Sequence, residues 1–240
     1  MLSYLRSVLV TIPLSFLTTA VLIWISYLLT LFTRKAIDPM FRFWARAVMF
    51  VCGARHRAFG MERIDASRNY VVVSNHLSLI DSPLLVAYLP LSVRFLAKKE
   101  LFRIPVMGGY MARTGHIPID RSNPRAALTS MAEAAKVLAQ GERSVLIYPE
   151  GTRSMTGEMQ EFKDGAALLA IKAGLPILPA AVVGTNDVLP SKGVVIRPAQ
   201  VELRVGEPIE TAGLGVKDRE RLTRELEERV RQLQRRTVEG

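Results

Sequence analysis

The first sixty residues are patterned unlike the rest of the chain. From Ser7 to Thr33 it runs 27 residues without a charge, rich in Leu, Val, Ile and Phe. As a helix this stretch would be about 40 Å long, more than the ~30 Å of a bilayer's hydrocarbon core. Arg6 stands at one end and Arg34-Lys35 at the other. The pattern predicts a membrane helix, with Pro13 bending it near its start. A secretory leader fits poorly, because the run is too long and no small-x-small site ends it. Asp38-Pro39 then reads as an N-cap followed by a first-turn proline. Met40, Phe41, Phe43, Trp44, Ala47, Val48 and Val51 follow, with Arg42 and Arg46 one turn apart. This amphipathic helix suits a membrane interface, or packing on the domain with two solvated arginines.

Beyond residue 60, short apolar runs alternate with helical periods. Strands are predicted at Tyr70–Ser74, Val93–Ala97, Ile117–Ile119, Ser144–Tyr148, Ile177–Val183 and Gln200–Val205. Helices are predicted from Ser82-Pro83 to Tyr88, over Glu100–Arg113 with breaks at Pro105 and Gly108-Gly109, and from Asn123-Pro124 to Gln140. Asp164–Ala173 and Lys217–Arg236 complete the set, the last with a Leu222, Leu226, Val230, Leu233 stripe that suits packing on the domain. Alternation of this kind predicts an α/β fold with a mostly parallel central sheet flanked by helices, preceded by an N-terminal membrane-associated helical pair. The division falls at 1–58 for the helices and 59–240 for the α/β domain.

Composition narrows the function. The chain has 240 residues, 49% apolar and 22% charged, which excludes a disordered or low-complexity class. One cysteine, Cys52, and three histidines without i, i+4 spacing exclude a disulfide framework and argue against a metal site. Net charge is +10, and residues 1–63 hold eight Lys/Arg against Asp38 and Glu62. Basic residues beside long apolar runs suit an anionic membrane surface better than nucleic acid. Aromatic residues are 7% of the chain and sit largely in the N-terminal helices rather than between basic residues, so no nucleic-acid partner is expected.

Four segments carry candidate chemistry. Asn75-His76-Leu77-Ser78-Leu79-Ile80-Asp81 links a strand to a helix. In such a turn His76 and Asp81 can face each other, the carboxylate fixing the tautomer and leaving the second nitrogen as a base for an alcohol. The same residues fit a helix-capping Asp and a backbone-bonded His, and spacing alone leaves the two readings level. Tyr148-Pro149-Glu150-Gly151-Thr152-Arg153-Ser154 offers amides, a hydroxyl and a guanidinium suited to phosphate or carboxylate. It could equally be a turn with surface charges. Gly115-His116-Ile117-Pro118-Ile119-Asp120-Arg121 and Leu175-Pro176-Ile177-Leu178-Pro179-Ala180 are weak alone.

In this order the four blocks resemble those of the glycerolipid acyltransferases, in particular lysophosphatidic acid acyltransferases. That family carries N-H-x-x-x-x-D, G-x-I-x-I-D-R-like, F-P-E-G-T-R-S and V-P-I-x-P-V-like blocks. Phe162-Lys163-Asp164-Gly165-Ala166 and Gly206-Glu207-Pro208-Ile209 extend the resemblance to roughly residues 60–210. Tyr148 stands where the family has Phe, Ala180 where it has Val, and His116 and Pro118 depart from the second block. The resemblance implies a glycerol-3-phosphate acyltransferase-like fold. It implies transfer of an acyl chain from acyl-CoA or acyl-carrier protein to the sn-2 hydroxyl of 1-acyl-glycerol-3-phosphate, giving phosphatidic acid for phospholipid synthesis. His76 would be the base and Asp81 its orienting partner. Asn75, Lys98, Arg121, Glu150, Gly151, Thr152, Arg153 and Lys163 would bind substrate, Arg153 first among the phosphate cations. No metal or prosthetic group is implied. Membrane lipid, lysophosphatidic acid and the acyl donor are the expected partners, at the cytoplasmic face of the membrane (the inner membrane in a bacterium). Related acceptors, such as glycerol-3-phosphate or another lysolipid, fit the same blocks. A non-catalytic tethered lipid-binding protein is the alternative of another class, but it has no need of His76 and Asp81 together with Glu150–Arg153.

Overall fold

The computed structural model describes residues 2–120, 122–141 and 143–235. A seven-stranded sheet forms its centre, in the order β1-β7-β6-β2-β5-β3-β4. The strands are β1 (Ala54–Phe59), β2 (Val71–Ser74), β3 (Val93–Lys98), β4 (Ile117–Ile119), β5 (Ser144–Ile147), β6 (Ile177–Val183) and β7 (Ala199–Val205). All neighbouring pairs are parallel except β6 and β7. β2 and β5 are buried at every position, as apolar runs covered on both faces must be. Pro179 is tolerated inside β6. Its carbonyl and its donor-less nitrogen face the β7 side, where β7 has already ended and Gly206 N–H bonds Pro179 O at 2.8 Å.

The pleat separates two cores. Val71, Val73 and Ile147 face one side, with Leu169 of α7 (Gly165–Ala173) and Leu226 of α9 (Arg219–Arg235). Val72 and Leu146 face the other, with Leu84 of α4 (Asp81–Tyr88) and Met49 of α3 (Ile37–Cys52). The whole α9 stripe of Leu222, Leu226, Val230 and Leu233 is buried, as packing on the domain requires. α6 (Pro124–Ala139) opens on Asn123, whose Oδ1 accepts Ala126 N–H at 2.8 Å. The stretch expected as one broken helix divides into a 3₁₀ turn (Lys99–Arg103) and α5 (Met107–Thr114). Between them Val106 sits at φ 65°, spanned by a 2.7 Å bond from Met107 N–H to Pro105 O.

The N-terminal run is helical from α1 (Leu2–Arg6) through a π-helical turn (Ser7–Thr11) into α2 (Ile12–Phe32). The π turn immediately precedes Pro13. The proline ring crowds the preceding turn and lacks a donor, and the helix widens to i→i+5 bonding there. The run Ser3–Phe32 is long and apolar enough to cross a membrane, and 11% of its most apolar window is buried. Phe16 and Phe32 are 75% and 87% exposed.

Two expectations change. Asp38 does not cap α3: the helix starts at Ile37, and the Asp38 carboxylate instead meets Arg94 Nη1 at 2.7 Å. Arg94 is buried, and a buried guanidinium needs a counter-charge more than the helix needs a cap. The division at 58/59 falls within β1, which pairs with β7 along its whole length. The sheet therefore draws in the chain from Ala54, and α3 already contributes Val48, Met49 and Cys52 to the central core. α3 packs on the domain, with Arg46 exposed but Arg42 half-buried and donating to Leu91 O at 3.3 Å. Its other face leaves Phe43 and Phe50 exposed.

Candidate active site

β2 ends at Ser74 in mid-sheet, and the chain turns through residues 75–80 into α4. Asn75 anchors that turn. It is fully buried, its Oδ1 accepting Val182 N–H at 2.8 Å and its Nδ2 donating to Val182 O at 3.0 Å. Both ends of its amide are thus occupied by β6 backbone. The structure places Asn75 as a positioning residue rather than a group facing substrate, because the paired backbone groups would otherwise be buried unsatisfied.

Asp81 is wholly buried at the start of α4. Its Oδ2 accepts three N–H groups: His76 Nδ1 at 2.8 Å, Leu77 N at 2.6 Å and Ser78 N at 2.8 Å. Of the two readings the spacing allowed, the facing pair is the one formed. With its Nδ1 proton directed to Asp81, the ring keeps Nε2 as its basic nitrogen. The His76 side chain is 18% exposed, so that nitrogen belongs to a partly open site.

The second block closes over the first. Tyr148 stacks on the His76 ring at 3.9 Å between centroids and 9° between planes, and its hydroxyl meets Ser82 Oγ at 2.9 Å. Burial pushes the Tyr148 hydroxyl well above its ordinary pKa, and the Asp81 charge adds to the effect, so the ring stays neutral. Glu150 is buried beside it. Its Oε1 accepts His76 N–H at 2.6 Å, and its Oε2 accepts Gln160 N at 3.0 Å and Nε2 at 3.3 Å. Burial raises its pKa while these donors oppose the rise. Glu150 is therefore a brace between loops, not a surface acid. Ser154 N–H completes the seam on His76 O at 2.8 Å.

Gly151 follows at φ 79°, a conformation that favours glycine, and a Cβ there would stand 3.0 Å from Lys163 Nζ. Lys163 thus lies over the Gly151-Thr152-Arg153 turn, held by its own N–H on Pro149 O at 3.1 Å. Thr152 is exposed and Arg153 half-buried. Among the described residues neither Arg153 nor Lys163 is in an ion pair. An imidazole held on a buried carboxylate, in a loop bonded to the turn that carries Arg153 and lies under Lys163, suits deprotonation of a hydroxyl on a molecule carrying an anionic group.

A family model described as Acyltransferase matches residues 55–183. The chain belongs to the acyltransferase family. A 1-acyl-sn-glycerol-3-phosphate acyltransferase of Cocos nucifera is 34% identical over 69% of this chain and 53% of its own length. One of Saccharomyces cerevisiae is 31% identical over 89% of this chain and 71% of its own. The chain spans about half the length of the first plant relatives it matches. Among solved structures, the 1-acyl-sn-glycerophosphate (LPA) acyltransferase PlsC from Thermotoga maritima superimposes with a TM-score of 0.81 at 27% identity. That match covers 96% of this chain and 95% of the other.

The remaining candidates of this acyltransferase divide. Lys98 ends β3 as an exposed side chain 3.8 Å from Glu100. Arg121 lies outside the described residues. Its neighbour Asp120 pairs with Lys99, which holds the carboxyl well below its usual range. His116 is buried with its Nδ1 accepting Phe95 N–H at 3.0 Å. Burial, with Arg94 and Arg143 nearby, lowers its pKa to about 3, so it is a neutral packing histidine and no second base. Burial pushes the Cys52 thiol up, which leaves it a poor nucleophile. The sequence reading missed the Tyr148 stack, the Ser82 contact and the Gln160 brace. The only signal for them was the position of Tyr148 two residues before Glu150 in a block already singled out.

Proposed function

We propose that this acyltransferase esterifies the sn-2 hydroxyl of 1-acyl-glycerol-3-phosphate, with acyl-CoA or acyl-carrier protein as donor, for phospholipid synthesis. The observation that carries the reading is the His76–Asp81 pair, 2.8 Å apart, on a loop bonded to the Glu150–Ser154 turn that carries Arg153. The names of the relatives support the same substrate. His76 Nε2 takes the hydroxyl proton as the oxygen attacks the thioester carbonyl. The C–O bond forms, the C–S bond breaks, and the imidazolium returns its proton to the departing thiolate. Asp81 stabilises that imidazolium through Nδ1. Arg153 and Lys163 receive the acceptor's phosphate, with Gly151 and Thr152 lining it. Glu150 and Asn75 hold the loops that carry these groups.

The enzyme works at a membrane, on its cytoplasmic face. The helical run α1–α2 is fastened to the catalytic domain near both ends, by Arg6 Nη2 on Ile196 O at 3.0 Å and by Arg113 Nη2 on Thr30 O at 3.1 Å. These bonds to the domain support a placement within one leaflet, since a crossing helix so fastened would draw charged domain surface toward hydrocarbon. The site then meets lysophosphatidate without extracting it, which would cost about 0.8 kcal/mol per exposed methylene.

The test is acyl transfer from labelled acyl-CoA, and separately acyl-carrier protein, to lysophosphatidate by the protein in membranes. Wild type is expected to form phosphatidate, and Arg153→Ala to raise KM for lysophosphatidate more than for donor. No product from either donor would overturn the reading. An unchanged acceptor KM would move the phosphate away from Arg153.

A further inference from the structure

At the opposite end of the strands from His76, a groove of about 600 Å³ opens among the starts of β3 and β4, the loop before β5 and the end of the N-terminal helical run. Ser92, Arg94, Gly115, Arg143, Arg34 and Asp38 line it, together with mainly apolar positions. The volume falls within the range of small-molecule sites, about 300–1,000 Å³. β2 and β3 each run parallel to β5, and His76 follows the end of β2 whereas Arg94 opens β3. Strands of this length separate the two places by on the order of 15–20 Å.

Three guanidiniums meet one carboxylate there among the described residues. Arg94 is accounted for: Nε donates to Thr114 O at 2.6 Å and Nη1 to Val93 O at 2.8 Å and Asp38 Oδ1 at 2.7 Å. Asp38 is thereby engaged. Among the described residues, Arg143 has only a long 3.4 Å bond, to the same Thr114 carbonyl. Its guanidinium is let in by Gly115 at φ 83°, where a Cβ would collide with Nη1. Arg34 is exposed at the rim. Burial and then the charges of Arg94 and Arg34 lower the Arg143 pKa, so the cluster repels itself. A glycine that admits one arginine beside another, with no second acid at the groove among the described residues, describes a place made for an anion.

We infer that this groove is a second anion site, separate from the catalytic one, which takes a phosphate group on Arg34 and Arg143 with Arg94 as its fixed floor. Planar guanidiniums match phosphate oxygens in pairs. The groove's rim lies two residues beyond Phe32, where the exposed apolar helix ends, so a phospholipid headgroup at the membrane surface and a free phosphate can both reach it.

The experiment is calorimetric titration of the full chain in a non-ionic detergent, with dihexanoyl phosphatidate and separately with inorganic phosphate. Two binding events are expected for phosphatidate. Arg153→Ala weakens one, and the double variant Arg34→Gln with Arg143→Gln weakens the other at least about ten-fold. A charge-matched variant, Arg125→Gln with Lys172→Gln on exposed helix positions, keeps both. The same loss for inorganic phosphate shows that the phosphate group suffices. A loss confined to phosphatidate assigns the groove to a lipid headgroup. A single event in wild type, or equal binding by the two double variants, overturns the proposal. Should the Arg143 substitution disturb folding, Arg34→Gln alone, at an exposed position, is expected to weaken the same event and leave the Arg153-dependent one intact. The two events report the two sites separately, so failure of the acyltransferase reading would not resemble failure of this one.

Discussion

Two histidines of this molecule show how surroundings assign a role. At the carboxyl end of β2, His76 donates from Nδ1 to a buried carboxylate and keeps some exposure. Behind the starts of β3 and β4, His116 accepts at Nδ1 from a backbone amide, beneath the edges of Phe41 and Phe95 and near Arg94 and Arg143. The first ring faces a carboxylate, and the second is held neutral by burial and by two nearby guanidiniums. The same side chain is placed to serve as a base in one place and packs as a neutral ring in the other, and the partner of Nδ1 marks the difference.

The largest effect that can test this contrast is His76→Ala. It should lower phosphatidate formation by about two to four orders of magnitude while leaving the melting temperature in place. Residual turnover above a tenth of wild type would remove His76 as base.

His116 should produce the reverse signature. Its folded pKa of about 3 lies below the ordinary 6.5, so its contribution to stability is complete above pH 6.5 and is lost as pH falls toward 3. Between pH 7 and pH 4 that amounts to about 3 kcal/mol, read by denaturant unfolding. His116→Asn, which keeps an acceptor for Phe95 N–H, should lose this part of the pH dependence and retain turnover at pH 7. An unchanged acid slope would show that His116 is not the group that titrates.

Glu150→Gln presents an amide donor to donors already in place. It should cost about 1–3 kcal/mol of stability and slow turnover by loosening the His76 backbone. Wild-type stability would mean that the brace carries no strain. Tyr148→Phe keeps the stacked ring and removes only the bond to Ser82 Oγ, for about 1 kcal/mol and turnover within a few-fold. A loss comparable to that of His76→Ala would give the hydroxyl a part in the chemistry.

The central strands were legible because burial on both faces forces continuous apolar runs, as in Val71–Ser74 and Ile177–Val183. β1 was not, because an edge strand answers to one neighbour and to solvent. Its Arg55, His56 and Arg57 are exposed and carry no apolar alternation. Within the site, the His76–Asp81 contact was legible as a spacing around a turn. The cross-loop bonds of Glu150 and Asn75 were not, since they join segments 74 and 107 residues apart. Asp38 misled for a related reason: a local capping pattern lost to Arg94, which is remote in sequence.

The pairing of β1 with β7 has a consequence for biosynthesis. Ala54 faces Ala199, which the ribosome adds about 145 residues later. At about 5–20 residues per second that is roughly 7–30 s during which β1 has emerged without its only neighbour. Arg55 and Arg57 keep that orphan strand charged, which discourages it from joining another nascent chain. Everything from α1 to β6 emerges before β7, so this edge of the sheet closes last.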